Sequence, residues 1–134
     1  MATVHVEILI HQSVDVVWDA ARDVGALHTR LVPGFVADTR MEPGAAPPVR
    51  VVTFASGFVA RETIVAVDEA QRRVVWSIDG EGVDHHNGAL QLIEEAPGRT
   101  RAVWTADVLP DALAEAYAPL MQRGLEVMKA TQEA

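Results

Sequence analysis

A run of β-rich segments between residues 49 and 109 constrains the fold of this chain more than any other feature. Each segment is 6 to 11 residues long, and each junction carries turn residues such as Gly, Pro or Asp. The five segments lie near 49–54, 58–67, 72–79, 84–94 and 99–109. Strands with such short connections pair antiparallel with their chain neighbours. The run therefore predicts an antiparallel meander.

The residues before the meander predict two more strands and two short helices. Residues 3–11 alternate between apolar and polar side chains, which is typical of a half-buried strand. Ser13 is placed to cap a helix that ends at Gly25, and a second short helix is predicted at about 26–31. Residues 35–41 are typical of another strand, so we expect about seven strands in total.

A helix is predicted after the meander, from about residue 111 to residue 132. Its apolar side chains approximate one stripe, formed by Leu113, Tyr117, Leu120, Leu125 and Met128. Pro119 and Gly124 interrupt the pattern. Because proline removes a helical hydrogen bond, we expect an irregularity near Ala118. These elements make the chain an α+β protein, and its length favours one domain over residues 1–134.

One predicted hairpin places two opposite charges on an apolar face. If Ala55-Ser56-Gly57 forms the loop, with Gly57 in the left-handed conformation, Phe54 pairs with Phe58 and Arg50 pairs with Glu62. Both pairs then share the inward face. A two-residue Ser56-Gly57 turn would instead place Arg50 opposite Thr63 and separate the charges.

Composition excludes several classes of function. The formal net charge of −8 disfavours nucleic acids and anionic membranes as partners. The absence of cysteine excludes disulfides, thiolate zinc sites and a cysteine nucleophile. His85 and His86 are neighbours on a strand and point to opposite faces, so no metal site is expected. We expect no signal peptide, no membrane insertion, no cofactor and a cytoplasmic location.

The order of elements resembles the helix-grip fold of the START and Bet v I-like superfamily, also called SRPBCC. The resemblance covers nearly the whole chain. Within the superfamily, the chain is most similar to the polyketide cyclase/dehydratase and lipid-transport branch. Five segments carry it, at 14–27, 50–62, 67–78, 100–110 and 124–130. The resemblance implies a curved sheet wrapped around the C-terminal helix, with a cavity between them for a small hydrophobic, aromatic or polyketide-like molecule.

Eight side chains are the candidate ligand-binding residues: Arg50, Phe54, Phe58, Glu62, Trp76, His86, Trp104 and Tyr117. The aromatic ones line either a cavity or a solid core, and the sequence leaves both open. Trp18 is expected to pack in the core.

Three of these residues are also candidates for catalysis. Arg50 and Glu62 either hold and orient a ligand oxygen or form a structural ion pair at the cavity wall. His86 is either a general acid/base or a hydrogen-bonded wall residue. His5, His11 and His28 are predicted at the surface.

Three functions remain open at this point. The first is binding of a small hydrophobic ligand without turnover, and the second is a cofactor-independent aromatase/cyclase that closes and dehydrates a polyketide chain. The third is a protein-interaction or quinone-chaperone module, which would show an exposed apolar patch in place of an enclosed cavity. A homodimer is compatible with each of them.

Overall fold

The computed structural model describes residues 1–134 and contains one antiparallel sheet of seven strands. The strands are β1 (Ala2–Ile10), β2 (Val36–Met41), β3 (Val49–Phe54), β4 (Val59–Asp68), β5 (Arg73–Asp79), β6 (His85–Ala96) and β7 (Arg99–Leu109). Their order in the sheet is β1-β7-β6-β5-β4-β3-β2. Each strand from β2 to β7 therefore pairs with its chain neighbours, which confirms the predicted meander.

The helical segments are α1 (Val14–Ala21), a π-helical turn at Leu27–Leu31, and α2 (Leu113–Glu133). α2 packs along β1 and β7. The main core includes residues of both helices and of the sheet, such as Ile10, Val17 and Leu125. None of these helical segments combines the length and the apolarity needed to cross a membrane.

The hairpin of β3 and β4 has the predicted three-residue loop. Arg50 pairs with Glu62 and Val52 with Ala60, while the Phe54 amide donates a hydrogen bond to the Phe58 carbonyl. Gly57 has a φ of 92°, the left-handed conformation that glycine adopts without strain. The alternative register, with Arg50 opposite Thr63, is therefore excluded.

Bulges add curvature to the sheet. The register shifts within the β4–β5 pair between Ile64 and Ala66, and within the β6–β7 pair between Glu94 and Ala96. An extra residue on one strand bends that strand and increases its twist. The curvature leaves space between the sheet and α2 in the middle of the molecule.

Two predictions about α2 were wrong. The helix runs unbroken through Pro119, which is exposed. The carbonyl that this proline leaves without a partner belongs to Glu115, also on the exposed side, where water can satisfy it. The buried stripe contains Met121 in place of Leu120, which is 49% exposed.

The second short helix and one histidine also differ from expectation. The segment after Gly25 is a single π-helical turn that packs on β2, where a regular short helix was predicted. His28 in this turn is only partly exposed, and its Nδ1 is buried without a hydrogen-bond partner. His28 is therefore not a simple surface residue, because the turn presses it toward β2.

Candidate ligand-binding site

A cavity of about 320 Å3 opens between the sheet and α2, and we call it the outer cavity. Its walls come from β3 to β7, from α2 and from the segment at Gly34–Phe35. Its volume falls within the range of small-molecule sites, which begins at about 300 Å3. The space that the resemblance implied is therefore present.

A second, smaller chamber of about 60 Å3 lies deeper in the core, and we call it the inner chamber. The two share the lining residues Phe35, Phe54, Glu62, Trp76 and Trp104. These side chains therefore separate the inner chamber from the outer cavity.

The Arg50–Glu62 pair is buried, as predicted, but its two members occupy different positions. Their side chains are only 4% and 5% exposed, and Arg50 Nε donates to Glu62 Oε1 at 2.7 Å. Arg50 Nη1 donates to the Val24 carbonyl at 3.2 Å, and the guanidinium lies 5.3 Å from the ring centre of Trp76. Arg50 lines only the inner chamber, whereas Glu62 lines both spaces. Glu62 is therefore the charged group that faces the outer cavity from the sheet.

The second carboxylate oxygen of Glu62 is available to a ligand. Oε1 is held by Arg50, while Oε2 makes no hydrogen bond within the protein. On the neighbouring strand, Ile78 pairs with Glu62 and also lines the outer cavity. The sheet therefore presents an acceptor oxygen beside an apolar side chain.

His86 lines the outer cavity, as the strand register predicted, and is 7% exposed. Its Nδ1 accepts a hydrogen bond from the Ile78 amide at 3.2 Å. An acceptor nitrogen carries no proton, so in the neutral ring the proton is on Nε2. Desolvation by burial lowers the pKa of His86 to about 4. His86 is therefore a neutral hydrogen-bond donor near pH 7, which disfavours the predicted role as a general acid.

Tyr117 extends from α2 to the same end of the cavity. Its ring meets the His86 ring edge to face, with the centres 5.7 Å apart. Its hydroxyl has no hydrogen-bond partner within the protein. Burial raises the pKa of Tyr117, and the negative charge of Glu62 raises it further. The hydroxyl is therefore neutral and free to donate or accept.

Aromatic rings form much of the remaining wall. Trp76 and Trp104 lie 5.9 Å apart, and Phe54 contacts both Phe35 and Phe58. Phe58 is 54% exposed, because it lies at the tip of the hairpin beside the cavity mouth. It therefore contributes to the rim, whereas the sequence predicted a place on the interior face.

Two glycines allow the indole rings to occupy these positions. A Cβ at Gly88 would lie 2.9 Å from Trp76, and one at Gly124 would lie 2.8 Å from Trp104. Glycine is needed wherever another group approaches the backbone this closely. Gly124, which interrupted the predicted helix pattern, therefore permits close packing of α2 on Trp104.

Sequence reasoning missed several residues that line the outer cavity: Gly34, Phe35, Ala55, Ser56, Ile78, Leu120, Met121 and Arg123. Ile78 could have been found, because it continues the inward alternation of Val74 and Trp76. Leu120 and Arg123 could not, since their positions depend on how α2 is rotated. Trp18 lies in the core, as predicted, and donates from Nε1 to Glu69. No group of three or more metal-ligating side chains is present.

The comparison with protein families decides the classification. The family described as polyketide cyclase / dehydrase and lipid transport matches residues 1–133. The chain belongs to this family. The comparison with curated proteins, in contrast, gave no match.

Solved structures support the same fold for this polyketide cyclase / dehydrase family member. The protein XoxI from Bacillus cereus superposes with a TM-score of 0.85 at 17% identity, over 98% of this chain and 96% of that one. A norcoclaurine synthase from Thalictrum flavum, in complex with dopamine and hydroxybenzaldehyde, gives 0.67 at 18% identity, over 96% and 84%.

A third similar structure is a larger protein. The di-domain ARO/CYC BexL from the BE-7585A biosynthetic pathway gives a TM-score of 0.82 at 13% identity. The match covers 98% of this chain and 46% of that one. These likenesses show the helix-grip fold, as the sequence resemblance predicted.

Proposed function

We propose that this chain binds a small hydrophobic molecule, aromatic or polyketide-like, in the outer cavity between the sheet and α2. The observation that carries the proposal is the combination of ligand-sized volume, aromatic walls and polar groups that have no hydrogen-bond partner within the protein. Apolar surface supplies the affinity of such sites, and a few polar groups orient the ligand. The family and the ligand complex of a protein with the same fold support this assignment.

Binding of the neutral fluorescent probe N-phenyl-1-naphthylamine tests the proposal. Ile78→Trp places a large side chain in the outer cavity, while Val65→Trp adds the same side chain at an exposed site on the same sheet. We expect the wild type and Val65→Trp to bind the probe with similar affinity. Ile78→Trp should bind at least about tenfold more weakly, because the probe and the indole compete for the same space. Equal binding by both variants would place the probe elsewhere, and the proposal would fail.

The native ligand can be sought directly. Native mass spectrometry of the purified protein, followed by extraction in organic solvent, should recover a small apolar molecule bound to the wild type and depleted in Ile78→Trp. A molecule recovered equally from both proteins would not occupy the outer cavity.

A second candidate function is favoured by one specific observation. Glu62 Oε2, His86 Nε2 and the Tyr117 hydroxyl all lie free of internal partners at one cavity. In an aldol closure, Glu62 would remove a proton from the carbon beside one ketone, and this carbon would attack a second ketone of the same chain. Neutral His86 would donate a hydrogen bond to the oxygen of the second ketone, where negative charge develops. Arg50 would orient Glu62 from the far side. These roles together would suit a cyclase that needs no cofactor.

Proton exchange separates the cyclase from a simple carrier. If Glu62 acts as a base, the methyl protons of bound 2-acetonaphthone should exchange with deuterium faster than in buffer, as measured by NMR. Glu62→Gln should abolish the acceleration, and the surface control Glu42→Gln should keep it. Exchange at the buffer rate in the wild type would exclude the cyclase and leave the binding function standing.

A further inference from the structure

The polar groups that line the outer cavity carry no net positive charge. Arg50 is neutralised by Glu62 and lies behind it, on the side of the inner chamber. His86 and Tyr117 are both uncharged near neutral pH. Arg123 is the only cation on the lining, and it is exposed at the mouth, where water screens it. An anion placed deep in the cavity would therefore meet the carboxylate of Glu62 and no compensating cation.

The hydrogen-bonding roles of these groups are also defined. Glu62 Oε2 can only accept a hydrogen bond, so its partner on a ligand must be a donor. His86 Nε2 can only donate while Nδ1 accepts from the Ile78 amide, so its partner must be an acceptor. The neutral hydroxyl of Tyr117, beside the His86 ring, can donate to the same acceptor. A ligand that satisfies the cavity therefore needs one donor and one acceptor.

The strand arrangement determines how Glu62 and His86 are placed relative to each other. Ile78 pairs with Glu62 on one side and donates its amide to His86 on the other. Glu62 and His86 thus lie on strands that flank the strand of Ile78. With a spacing of about 4.8 Å between strands, their backbones are roughly 10 Å apart. A ligand that lies across Ile78 on a rigid frame therefore reaches both groups with its donor and its acceptor at opposite ends.

The volume limits the size of that frame. At the packing density of protein interiors, about 0.74, a space of about 320 Å3 accepts a ligand with a van der Waals volume of roughly 240 Å3, or about 18 aromatic non-hydrogen atoms. Two fused aromatic rings with short substituents fit this limit.

We propose that the outer cavity selects neutral bicyclic aromatic molecules with a hydroxyl group at one end and a carbonyl group at the other, and rejects aromatic carboxylates of the same size. The hydroxyl donates to Glu62 Oε2, and the carbonyl oxygen accepts from His86 Nε2 and Tyr117. This inference rests on the proposed binding function and adds the class of ligand to it.

Three naphthalene probes test the selectivity by displacing N-phenyl-1-naphthylamine at pH 6.5. 6-Hydroxy-2-acetonaphthone carries both the hydroxyl donor and the carbonyl acceptor, whereas 2-acetonaphthone lacks the hydroxyl. In 6-hydroxy-2-naphthoate a charged oxygen replaces the methyl group, so the shape is kept and the charge is changed. We expect the hydroxy-ketone to bind at least about tenfold more tightly than either of the others, since each of them loses a charge-assisted hydrogen bond or adds an unpaired anion.

Two variants assign the selectivity to named atoms. Glu62→Gln removes the carboxylate and frees Arg50, so the preference for the hydroxy-ketone over the hydroxy-naphthoate should shrink at least about tenfold or reverse. Tyr117→Phe removes a hydroxyl that holds no other group, so it should fold normally and weaken the hydroxy-ketone more than 2-naphthol. The Tyr117 result stands by itself if Glu62→Gln does not fold. Glu42→Gln serves as the control with an exposed carboxylate.

The outcomes separate the two proposals. If the fluorescent probe binds but the hydroxy-ketone and the hydroxy-naphthoate displace it equally well, the ligand class is wrong and the binding function stands. The same conclusion follows if Tyr117→Phe changes the binding of the hydroxy-ketone and of 2-naphthol equally. If the fluorescent probe itself does not bind, both proposals are wrong.

Discussion

Two ion pairs on strand β4 are made of the same residue types and lie on opposite faces of the sheet. Glu62 pairs with Arg50 on the inner face, where the side chains are 5% and 4% exposed. Arg61, the preceding residue, pairs with Glu42 on the outer face, where the exposures are 50% and 32%. The outer pair has two hydrogen bonds, at 2.8 and 3.0 Å, and the inner pair has one, at 2.7 Å. Burial, and not the number of hydrogen bonds, therefore distinguishes them.

The difference shows what a buried pair can do that an exposed one cannot. In water, both oxygens of Glu42 are occupied by Arg61 or by solvent, so the pair is screened and presents nothing to a ligand. In the cavity, Arg50 holds one oxygen of Glu62, and the other oxygen makes no hydrogen bond within the protein, so it can accept one from a ligand. The inner pair therefore keeps one carboxylate oxygen available to a ligand. Its burial costs desolvation free energy, which the exposed outer pair does not lose.

Removal of one member of the inner pair should have the largest effect on stability. Glu62→Leu leaves Arg50 buried without its counter-ion, so we expect a loss of about 3 to 5 kcal/mol in the free energy of unfolding. Urea denaturation followed by tryptophan fluorescence measures it. The double variant Arg50→Met/Glu62→Leu should recover most of the loss, since it leaves no unpaired charge. A loss below about 1 kcal/mol in the single variant would mean that the pair is hydrated in solution.

Displacement of the indole beside the inner pair should have the next largest effect. Gly88→Ala places a Cβ against Trp76, whose ring faces the Arg50 guanidinium, so we expect a destabilisation of about 1 to 3 kcal/mol. Gly80→Ala is the matched control, because no atom lies within 4 Å of its Cβ. Thermal unfolding of both variants measures the difference. Equal melting temperatures would contradict the close packing around the buried pair.

Low pH should destabilise the folded protein, because burial of His86 disfavours its protonated form. Its pKa is about 4 in the folded protein and about 6.5 when unfolded, so the unfolded state binds more protons between these values. Stability should fall as the pH drops from 6.5 to 4, by about 1 to 2 kcal/mol once residual hydration of the ring is allowed for. Urea midpoints at several pH values measure this slope. His86→Gln should flatten it, and the neighbouring exposed variant His85→Gln should not.

The outer pair should give the smallest effect. Glu42→Gln removes an exposed ion pair, so we expect a change below about 1 kcal/mol in the free energy of unfolding. Urea denaturation under the conditions used for Glu62→Leu gives the comparison directly. Similar losses of unfolding free energy in Glu42→Gln and Glu62→Leu would contradict the difference between the exposed and the buried ion pair.

The fold and the pairing of Arg50 with Glu62 could be predicted from the sequence, because both depend on patterns within short segments of the chain. Gly57 marks the loop position that needs a positive φ, and the alternation on either side of it then fixes that Arg50 faces Glu62. His86 was assigned correctly to the interior by its phase with Leu90. Each of these inferences depends only on the two-residue period of a strand.

Other parts of the site depend on contacts between distant elements and were out of reach. Nothing in the local pattern shows that Arg50 would lie behind Glu62, because Val24 and Trp76 hold it there from other elements. Phe58 is exposed at the hairpin tip, which the alternation of the strand does not show. The cavity itself depends on the bulges that curve the sheet, and their positions have no clear signal in the sequence.

The central claim is that a small aromatic molecule binds on the inner face of the sheet, against Glu62 and beneath α2. Intermolecular NOEs between 6-hydroxy-2-acetonaphthone and the labelled protein test it most directly. We predict NOEs from the naphthalene protons to Phe54, Ile78 and Trp104, with none to Val65 on the outer face. NOEs confined to exposed residues such as Val65, or a bound probe with no NOE to Ile78 or Trp104, would contradict it.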